Sequence, residues 1–76
     1  MKELLTYIAQ NLVNNPEEVR VEEIPSGGEL ILELHVAPGD MGKVIGRQGR
    51  IAKEIRILMR SAAQRAGKRL SVEIAD

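Results

Sequence analysis

The 76-residue sequence contains no cysteine, no phenylalanine and no tryptophan, and its only tyrosine is Tyr7. Without cysteine the chain has no disulfide and no thiolate metal site. A small domain without such cross-links fits a reducing compartment, so we expect a cytoplasmic protein. Without phenylalanine and tryptophan, a sheet lacks the aromatic platform on which some folds stack nucleobases. That kind of nucleobase-binding sheet is excluded.

Long apolar segments are missing as well. No stretch approaches the roughly 18 apolar residues of a membrane span, and the N-terminus lacks the basic, apolar and cleavage regions of a signal peptide. We therefore expect no membrane insertion. A chain of this length suits one small domain, which buries about 60% of the surface that its unfolded chain exposes. We expect that domain to span residues 1–76.

The residue sets of common enzymes are also absent. The sequence lacks the Gly-Lys-Ser/Thr ending of a P-loop, the Gly-x-Gly-x-x-Gly of a dinucleotide fold, a Ser/His/Asp set and a cysteine nucleophile. His35 is the only histidine, and no evident carboxylate cluster accompanies it. The sequence favours a histidine on a strand face over a metal ligand or a proton-transfer group. We expect a non-enzymatic protein without a metal or another cofactor.

Charge is unevenly distributed, although 11 basic residues balance 11 acidic ones. Residues 1–42 hold two basic side chains and eight acidic ones, whereas residues 43–69 hold nine basic side chains and a single acidic one, Glu54. Charges further apart than the Debye length, about 8 Å at physiological salt, act almost independently. The basic part can therefore bind an anionic partner. The alternative is that its lysines and arginines only solvate the outer face of a helix.

The first half of the chain predicts one helix and a hairpin. Apolar residues at helical spacing predict a helix over Lys2–Asn14, which ends before Pro16. Alternating residues predict a strand over Val19–Ile24 that becomes irregular near its end, a turn at Pro25–Gly28 and a second strand over Glu29–Val36. The two strands are expected to pair antiparallel.

The second half predicts two helices and a third strand. Asp40 is placed to cap a short helix over Met41–Ile45 that ends at Gly46. A long helix over residues 50–66 turns a broad apolar arc toward the sheet, and Leu70–Ile74 forms the last strand. A right-handed crossover through the two helices brings that strand parallel to the second one. We therefore predict an α+β fold, α-β-β-α-α-β, with a three-stranded mixed sheet and helices packed on one face.

The loop between the last two helices concentrates glycine and basic side chains. Gly46 and Gly49 can adopt positive φ and let bulky, charged material approach the backbone. The N–H groups at the start of the following helix carry partial positive charge and favour an anion. Arg47 and Arg50 add full charges, and Gln48 can form a hydrogen bond without demanding a particular base. This pattern predicts a loop that grips nucleic-acid phosphates.

Four apolar residues, two before the loop and two within the long helix, have alternative roles. Either Val44 or Ile45 anchors the loop to the core while the other lines an adjoining groove, and the sequence favours neither. In the long helix, Ile57 lies isolated among basic residues, and Leu58 lies at the border of the apolar arc. Both are candidate contacts with another protein molecule, as in a dimer, although single exposed apolar residues are common.

The run Val44–Arg50 resembles the Val-Ile-Gly-x-x-Gly signature of KH domains, and the predicted element order matches their type II arrangement. The longer run from Asp40 to Lys53, in a chain of this size, is similar to the KhpA family of small bacterial single-KH RNA-binding proteins. The resemblance implies that Gly46–Gly49 clamps the backbone of about four nucleotides of single-stranded RNA, with the bases in a groove lined by aliphatic side chains.

The same resemblance extends to flanking residues and to partners. Lys43, Ile45 and Arg50 flank the clamp, and Lys53 lies one helical turn beyond it. The family is described as pairing with itself and with a larger KH protein, KhpB, and as an RNA chaperone linked to cell-shape and cell-wall control. The resemblance therefore implies a homodimer or a heterodimer with a KhpB-like protein.

An alternative function is a protein-interaction module whose loop is vestigial and whose long helix docks a partner. Aspartate in place of Gly46 and Gly49 separates the two functions. The added bulk and negative charge are expected to abolish RNA retention, while the fold and partner binding survive.

Overall fold

The computed structural model describes residues 1–75 of the chain. These residues form three α-helices and one three-stranded sheet in the order α-β-β-α-α-β. The elements are α1 (Lys2–Gln10), β1 (Arg20–Ser26), β2 (Glu29–His35), α2 (Met41–Ile45), α3 (Arg50–Arg65) and β3 (Leu70–Ile74). Within residues 1–75, no helix combines the length and the apolar character needed to cross a membrane.

The central strand of the sheet is β2. It pairs antiparallel with β1 and parallel with β3. Both predicted pairings are confirmed, and with them the α+β fold with a mixed sheet. The parallel pairing follows from the crossover through α2 and α3, which returns the chain to the end of the sheet where β2 begins. One end of the molecule therefore holds the starts of β2 and β3 and the C-terminus of α3. The opposite end holds the α2–α3 connection.

The hairpin of β1 and β2 is regular over its whole length. Every residue of β1 pairs with β2 without a bulge, so the predicted irregularity near Ile24 is wrong. The strand continues through Pro25 because β1 is an edge strand, where proline can face away from the ladder. The turn contains only Gly27 and Gly28, with φ of 54° and 83°. Positive φ at both positions matches the strand twist, and the turn is shorter than predicted.

The core lies between one face of the sheet and the helices. Leu32 and Leu34 of β2 are fully buried on this face, and Met59 of α3 is fully buried against it. Alternation along the strands places every buried strand residue on the same face, so the predicted packing of helices on one face is confirmed. The core cluster consists of Leu5, Ala9, Val21, Leu32, Leu34, Val44, Ile55, Met59, Ala63, Leu70 and Val72.

The first helix is shorter than predicted. It ends at Gln10 and not at Asn14, and the chain continues through a turn. At this point the Asn11 side chain donates a hydrogen bond to Tyr7 O at 2.8 Å. A short polar side chain that bonds to nearby backbone competes with the helical hydrogen-bond pattern. The helix ends six residues before the proline that was expected to stop it.

Asp40 has a different role from the predicted cap, because its side chain makes no capping hydrogen bond to α2. Its buried carboxylate accepts hydrogen bonds from Asn14 N at 3.3 Å, Asn15 N at 3.0 Å and Asn15 Nδ2 at 3.1 Å. Burial raises the pKa of the Asp40 carboxyl, but the hydrogen bonds from Asn15 and Asn14, assisted by the charge of Lys43, outweigh burial and hold the pKa below its ordinary value. The carboxylate thus ties the α1–β1 connection to the start of α2.

The long helix α3 ends in a backbone cap. Gly67 has a φ of 70°. Its N–H donates to Gln64 O at 3.0 Å, and Lys68 N donates to Ala63 O at 2.9 Å. This pair of hydrogen bonds is the Schellman arrangement, in which a left-handed glycine satisfies carbonyls of the last turn. The cap fixes the point where the chain turns toward β3.

Part of the apolar arc predicted for α3 is confirmed. Ala52, Ile55, Met59 and Ala63 are buried against the sheet. Leu58 was assigned to the same arc, but its side chain is 52% exposed. Successive helical residues lie about 100° apart, so Leu58 points well away from Met59, and the arc that the sheet covers is narrower than its apolar composition indicated.

Candidate nucleic-acid interface

The connection between α2 and α3 is a tight turn over Gly46–Gly49. Gly46 N donates to Gly42 O at 2.9 Å and closes α2, and Gly49 N donates to Gly46 O at 3.2 Å. The turn contains left-handed backbone at Gln48 and Gly49 and runs directly into α3. The first N–H groups of a helix lack partners within the helix and carry partial positive charge. The turn therefore lies at a helix end that attracts anions.

Gly46 is required by both its backbone and its surroundings. Its φ of 75° and ψ of 176° lie in a region that is open almost only to glycine. A Cβ at this position would lie 2.6 Å from Ile51 Cγ1 and 2.9 Å from Ile51 Cδ1. The expectation that aspartate at Gly46 leaves the fold intact is therefore wrong, because the substitution strains the backbone and collides with the first turn of α3.

Gly49 is more permissive. It has the left-handed conformation, with φ of 73° and ψ of 16°, and a Cβ there would meet nothing within 4 Å. Asparagine and aspartate are the side chains that best tolerate this conformation. Gln48 already adopts it, with φ of 58° and ψ of 26°. The exposed turn thus carries a left-handed glutamine, and backbone strain of this kind is concentrated at functional sites.

The two apolar residues before the turn have opposite environments, which decides between the alternatives that the sequence left open. Val44 is fully buried in the core cluster, whereas Ile45 is 36% exposed at the end of α2. Val44 therefore anchors the turn to the core. Ile45 presents an aliphatic surface beside the turn.

The basic residues predicted for the site surround the turn and are all exposed. Lys43 lies in the last turn of α2, Arg47 lies within the connection, and Arg50 and Lys53 lie in the first turn of α3. None of them takes part in an ion pair within residues 1–75. Four positive charges thus lie close along the chain, and that of Lys43 also acts on the nearby carboxylate of Asp40.

The open edge of β3 runs beside α3. Arg69 O accepts a hydrogen bond from Leu30 N, and Ala75 N donates to Leu34 O, so the odd-numbered residues of this segment bond to β2. The backbone groups of residues 70, 72 and 74 consequently face away from the sheet. Arg56 of α3 reaches this edge and donates from Nε to Val72 O at 3.3 Å. The open edge of β3 beside α3 therefore carries outward-facing backbone groups, and the side chain of Arg56 bonds to one of them.

Ile57 and Leu58 are exposed apolar residues of α3, with exposed fractions of 46% and 52%. They lie about 100° apart around the helix, and neither is buried against the sheet. This position agrees with the exposure predicted for Ile57. Neither side chain belongs to the buried core, so both are available for contact with another molecule.

A cluster of polar side chains that the sequence did not predict lies on the open face of the sheet, which is the face that the helices do not cover. His35 Nε2 lies 2.8 Å from Glu33 Oε1 and 3.8 Å from Glu22 Oε2. The expectation that no carboxylates accompany His35 is therefore wrong. Because a two-residue hairpin turn fixes the register, recognition of the turn at Gly27 and Gly28 would have placed these residues together. Arg20 donates to Glu22 at 2.7 Å, and its guanidinium opposes a cation there.

Comparison with known proteins shows which family the chain is similar to. The protein-family model of the KhpA/KhpB KH domain matches residues 2–74 of this chain. "RNA-binding protein KhpA" of Clostridium acetobutylicum is 57% identical over 74 residues, which cover 97% of this chain and 99% of that protein. The protein of the same name from Chlamydia trachomatis is 49% identical over 76 residues, which cover 100% of this chain and 97% of that protein.

A solved structure shows a similar fold in a much larger protein. The crystal structure of Aquifex aeolicus Era Y63A bound to GDP.AlF4- matches 96% of this chain and 28% of its own, with a TM-score of 0.65 and 21% sequence identity. At this identity the likeness concerns the fold alone.

Proposed function

The chain belongs to the KhpA/KhpB KH-domain family, and from this premise we propose that it binds single-stranded RNA through the Gly46–Gly49 turn, as a single domain spanning residues 1–76. The observation that carries the proposal is the turn itself. Two positive-φ glycines enclose exposed polar residues at the N-terminus of α3. Relatives named as RNA-binding proteins agree with the expectation of a non-enzymatic protein.

In the proposed complex, the turn clamps the sugar-phosphate backbone of about four nucleotides. Phosphates approach the N–H groups at the start of α3 and the side chains of Arg47 and Gln48. Lys43, Arg50 and Lys53 add charge around the clamp, and Ile45 contributes an apolar contact to the bases. Most of the affinity comes from phosphates, so binding is weakly selective for sequence and falls with salt, with a slope of about −0.7 in log K per phosphate contact for single strands.

The experiment that tests the clamp uses Gly49 and leaves Gly46 unchanged. Gly49→Asp and Gly49→Asn place side chains of nearly equal size in the same open, left-handed position, so they differ mainly in charge. Both variants should fold, and a negative charge at the start of α3 is favourable to the helix. Fluorescence anisotropy with a labelled single-stranded RNA is expected to show strong loss of binding for Gly49→Asp and a smaller loss for Gly49→Asn.

The matched charge control is Gly39→Asp. Gly39 is exposed, has open space around a Cβ and lies outside the turn, so this variant has the same net charge as Gly49→Asp without altering the clamp. It should bind RNA as the unmodified protein does. Equal binding by the unmodified protein and Gly49→Asp, with both folded by circular dichroism, would refute the proposed clamp.

We further propose that the protein acts as a dimer, either with itself or with a KhpB-like KH protein. Ile57 and Leu58 are the candidate contacts because they are the exposed apolar residues of α3. A four-nucleotide site is small, and two linked sites on one RNA bind more tightly because the second contact is intramolecular. Ile57→Glu with Leu58→Glu should shift the species seen by sedimentation to the monomer. Unchanged sedimentation would exclude this surface as the dimer contact.

The cellular role that we propose is that of a cytoplasmic RNA chaperone linked to cell-shape and cell-wall control. Modest, weakly sequence-selective binding suits a chaperone, which must contact many RNAs and release them. Restoration of cell shape in a strain that lacks the protein, by the unmodified chain but not by Gly49→Asp, is the expected result. Equal restoration by both would favour the second candidate function.

That second candidate is a protein-interaction module, which the exposure of Ile57 and Leu58 favours. In that case the α3 surface carries the function and the Gly46–Gly49 turn only connects two helices. The two candidates make opposite predictions for Gly49→Asp. Ile57→Glu with Leu58→Glu impairs function under both, whereas only a pure interaction module keeps its function with Gly49→Asp.

A further inference from the structure

The end of the molecule opposite the Gly46–Gly49 turn has two adjoining open clefts. The larger cleft, of about 670 Å³, lies between the β1–β2 turn and the α3–β3 connection. The smaller one, of about 170 Å³, lies between the last turns of α3 and the start of β3. Both are lined by Glu29, Lys68 and Arg69, and Arg60 and Gln64 complete the smaller cleft. We call the exposed residues Arg60, Gln64, Lys68 and Arg69 the distal basic surface.

From this surface we propose that the protein has a second phosphate-binding site, which contacts the same RNA strand beyond the nucleotides held at the turn. The inference rests on the proposed RNA-binding function. It concerns residues that lie a full helix length from the turn. The α3 rise of about 1.5 Å per residue places Gln64 roughly 22 Å from Gly49 along the helix.

The charges of the distal basic surface are available to a ligand. Arg60, Lys68 and Arg69 are exposed, and none of them forms an ion pair or a side-chain hydrogen bond within residues 1–75. Glu29 is the one acidic residue that lines the clefts, against three basic residues. The opposite wall includes Gly27 and Gly28, which carry no side chains and have open space around them.

A purely structural role does not account for these side chains. Basic residues often lie near a helix C-terminus because they complement its partial negative charge. In α3, however, the terminal carbonyls of Gln64 and Ala63 already accept hydrogen bonds from the backbone N–H groups of Gly67 and Lys68. Arg65 supplies a basic residue in the last turn. The side chains of Lys68 and Arg69 are therefore not needed to cap the helix.

A continuous basic path joins the turn to the distal basic surface. Lys53, Arg60 and Gln64 lie at spacings of seven and four residues, which places them on one side of α3. Arg56 lies on the same side and reaches the open edge of β3 through its bond to Val72 O. That side borders the open edge of β3. An RNA strand that leaves the turn along this edge passes basic side chains until it reaches the clefts.

RNA length separates the two sites experimentally. A strand of about four nucleotides fills the turn alone, and one of about 12 nucleotides, within the range that single-strand-binding domains cover, reaches both sites. Fluorescence anisotropy at several salt concentrations is carried out on both RNAs with the unmodified protein and with Lys68→Ala/Arg69→Ala. Lys2→Ala/Arg20→Ala removes the same charge from the acidic half of the chain and serves as the control.

For the longer RNA, Lys68→Ala/Arg69→Ala should weaken binding on the order of ten-fold at physiological salt and reduce the salt slope by about 1.4, because two phosphate contacts are lost. Binding of the short RNA should stay the same, and the control should match the unmodified protein on both RNAs. Arg60→Glu should weaken binding of the longer RNA in the same selective way. All these residues are exposed, so thermal unfolding should remain close to that of the unmodified protein.

Several results would overturn the second site while leaving the clamp standing. One is unchanged binding of the longer RNA by both distal variants. Another is an equal loss for the short and the longer RNA, which would mean that the charges act at long range and not by contact. If the unmodified protein binds neither RNA, the proposed function itself fails, and this result is distinct from the other two.

Discussion

Because position 46 requires glycine, the structure predicts how much Gly46→Ala lowers the free energy of unfolding. Gly46→Ala forces alanine into φ of 75° and ψ of 176°, which costs about 1–3 kcal/mol. The new Cβ would also lie 2.6 Å from Ile51 Cγ1 and 3.0 Å from Ile51 Cβ, and overpacking of this kind costs about 1–3 kcal/mol more. Together these effects should lower the free energy of unfolding by about 2–6 kcal/mol, a large part of the roughly 4–11 kcal/mol expected for a domain of this size.

Gly49→Ala is the matched comparison. It places the same methyl group in a left-handed conformation with nothing within 4 Å. The backbone penalty of about 1–2 kcal/mol is partly offset because alanine restricts the unfolded chain. A net loss of about 1 kcal/mol is therefore expected. Urea unfolding followed by circular dichroism measures both variants under the same conditions.

A double-mutant cycle with Ile51→Ala isolates the collision. That substitution removes Cγ1 and Cδ1, the two atoms nearest to the new Cβ, and leaves the strained backbone as it is. Gly46→Ala should then cost about 1–3 kcal/mol less in the Ile51→Ala background than in the unmodified protein. Equal losses for Gly46→Ala and Gly49→Ala, or independent effects of Gly46→Ala and Ile51→Ala, would refute the reasoning.

Three further predictions concern the rest of the fold. Asp40→Asn should lower the melting temperature at pH 7. Hydrogen bonds lower the pKa of Asp40 in the folded state. The stability that the Asp40 carboxylate contributes is therefore fully present above its unfolded pKa of about 3.9 and is lost as pH falls through its folded pKa. The difference in melting temperature between the two proteins should shrink below about pH 4, and a constant difference would contradict this. Met59→Ala should cost about 2–5 kcal/mol in urea unfolding and Leu58→Ala under about 1 kcal/mol, since only Met59 is buried; similar losses would contradict the packing. Gln48→Val should destabilise by about 1–2 kcal/mol, whereas Gln48→Asn should be nearly neutral, because asparagine tolerates the left-handed conformation; equal stability of the two variants would contradict the assigned backbone.

Local patterns were enough to predict the order of the elements and the pairing of the strands. The alternation in β2 and β3 and the apolar spacing in α3 report burial directly, because each residue on these elements has one fixed direction. The turn between α2 and α3 was equally predictable, since Gly46 and Gly49 adopt positive φ there. The local sequence pattern indicates each of these features.

The features that the sequence did not reveal depend on how separate elements are arranged in space. Asp40 accepts hydrogen bonds from Asn14 and Asn15, which lie more than 20 positions away, so its position before a helix suggested a cap instead. The collision of a Cβ at Gly46 with Ile51 requires the angle between turn and helix. The group around His35 requires the hairpin register. Each of these is a tertiary distance, which periodicity does not encode.

The central claim is that the Gly46–Gly49 turn and the start of α3 contact the RNA backbone. The most direct test is a ¹H–¹⁵N correlation spectrum of the labelled protein, titrated with a single-stranded RNA of about four nucleotides. The predicted result is that the amide signals of residues 46–53 shift most, together with those at the end of α2. Shifts confined to the open face of the sheet around His35, or the absence of shifts at residues 46–53, would contradict it.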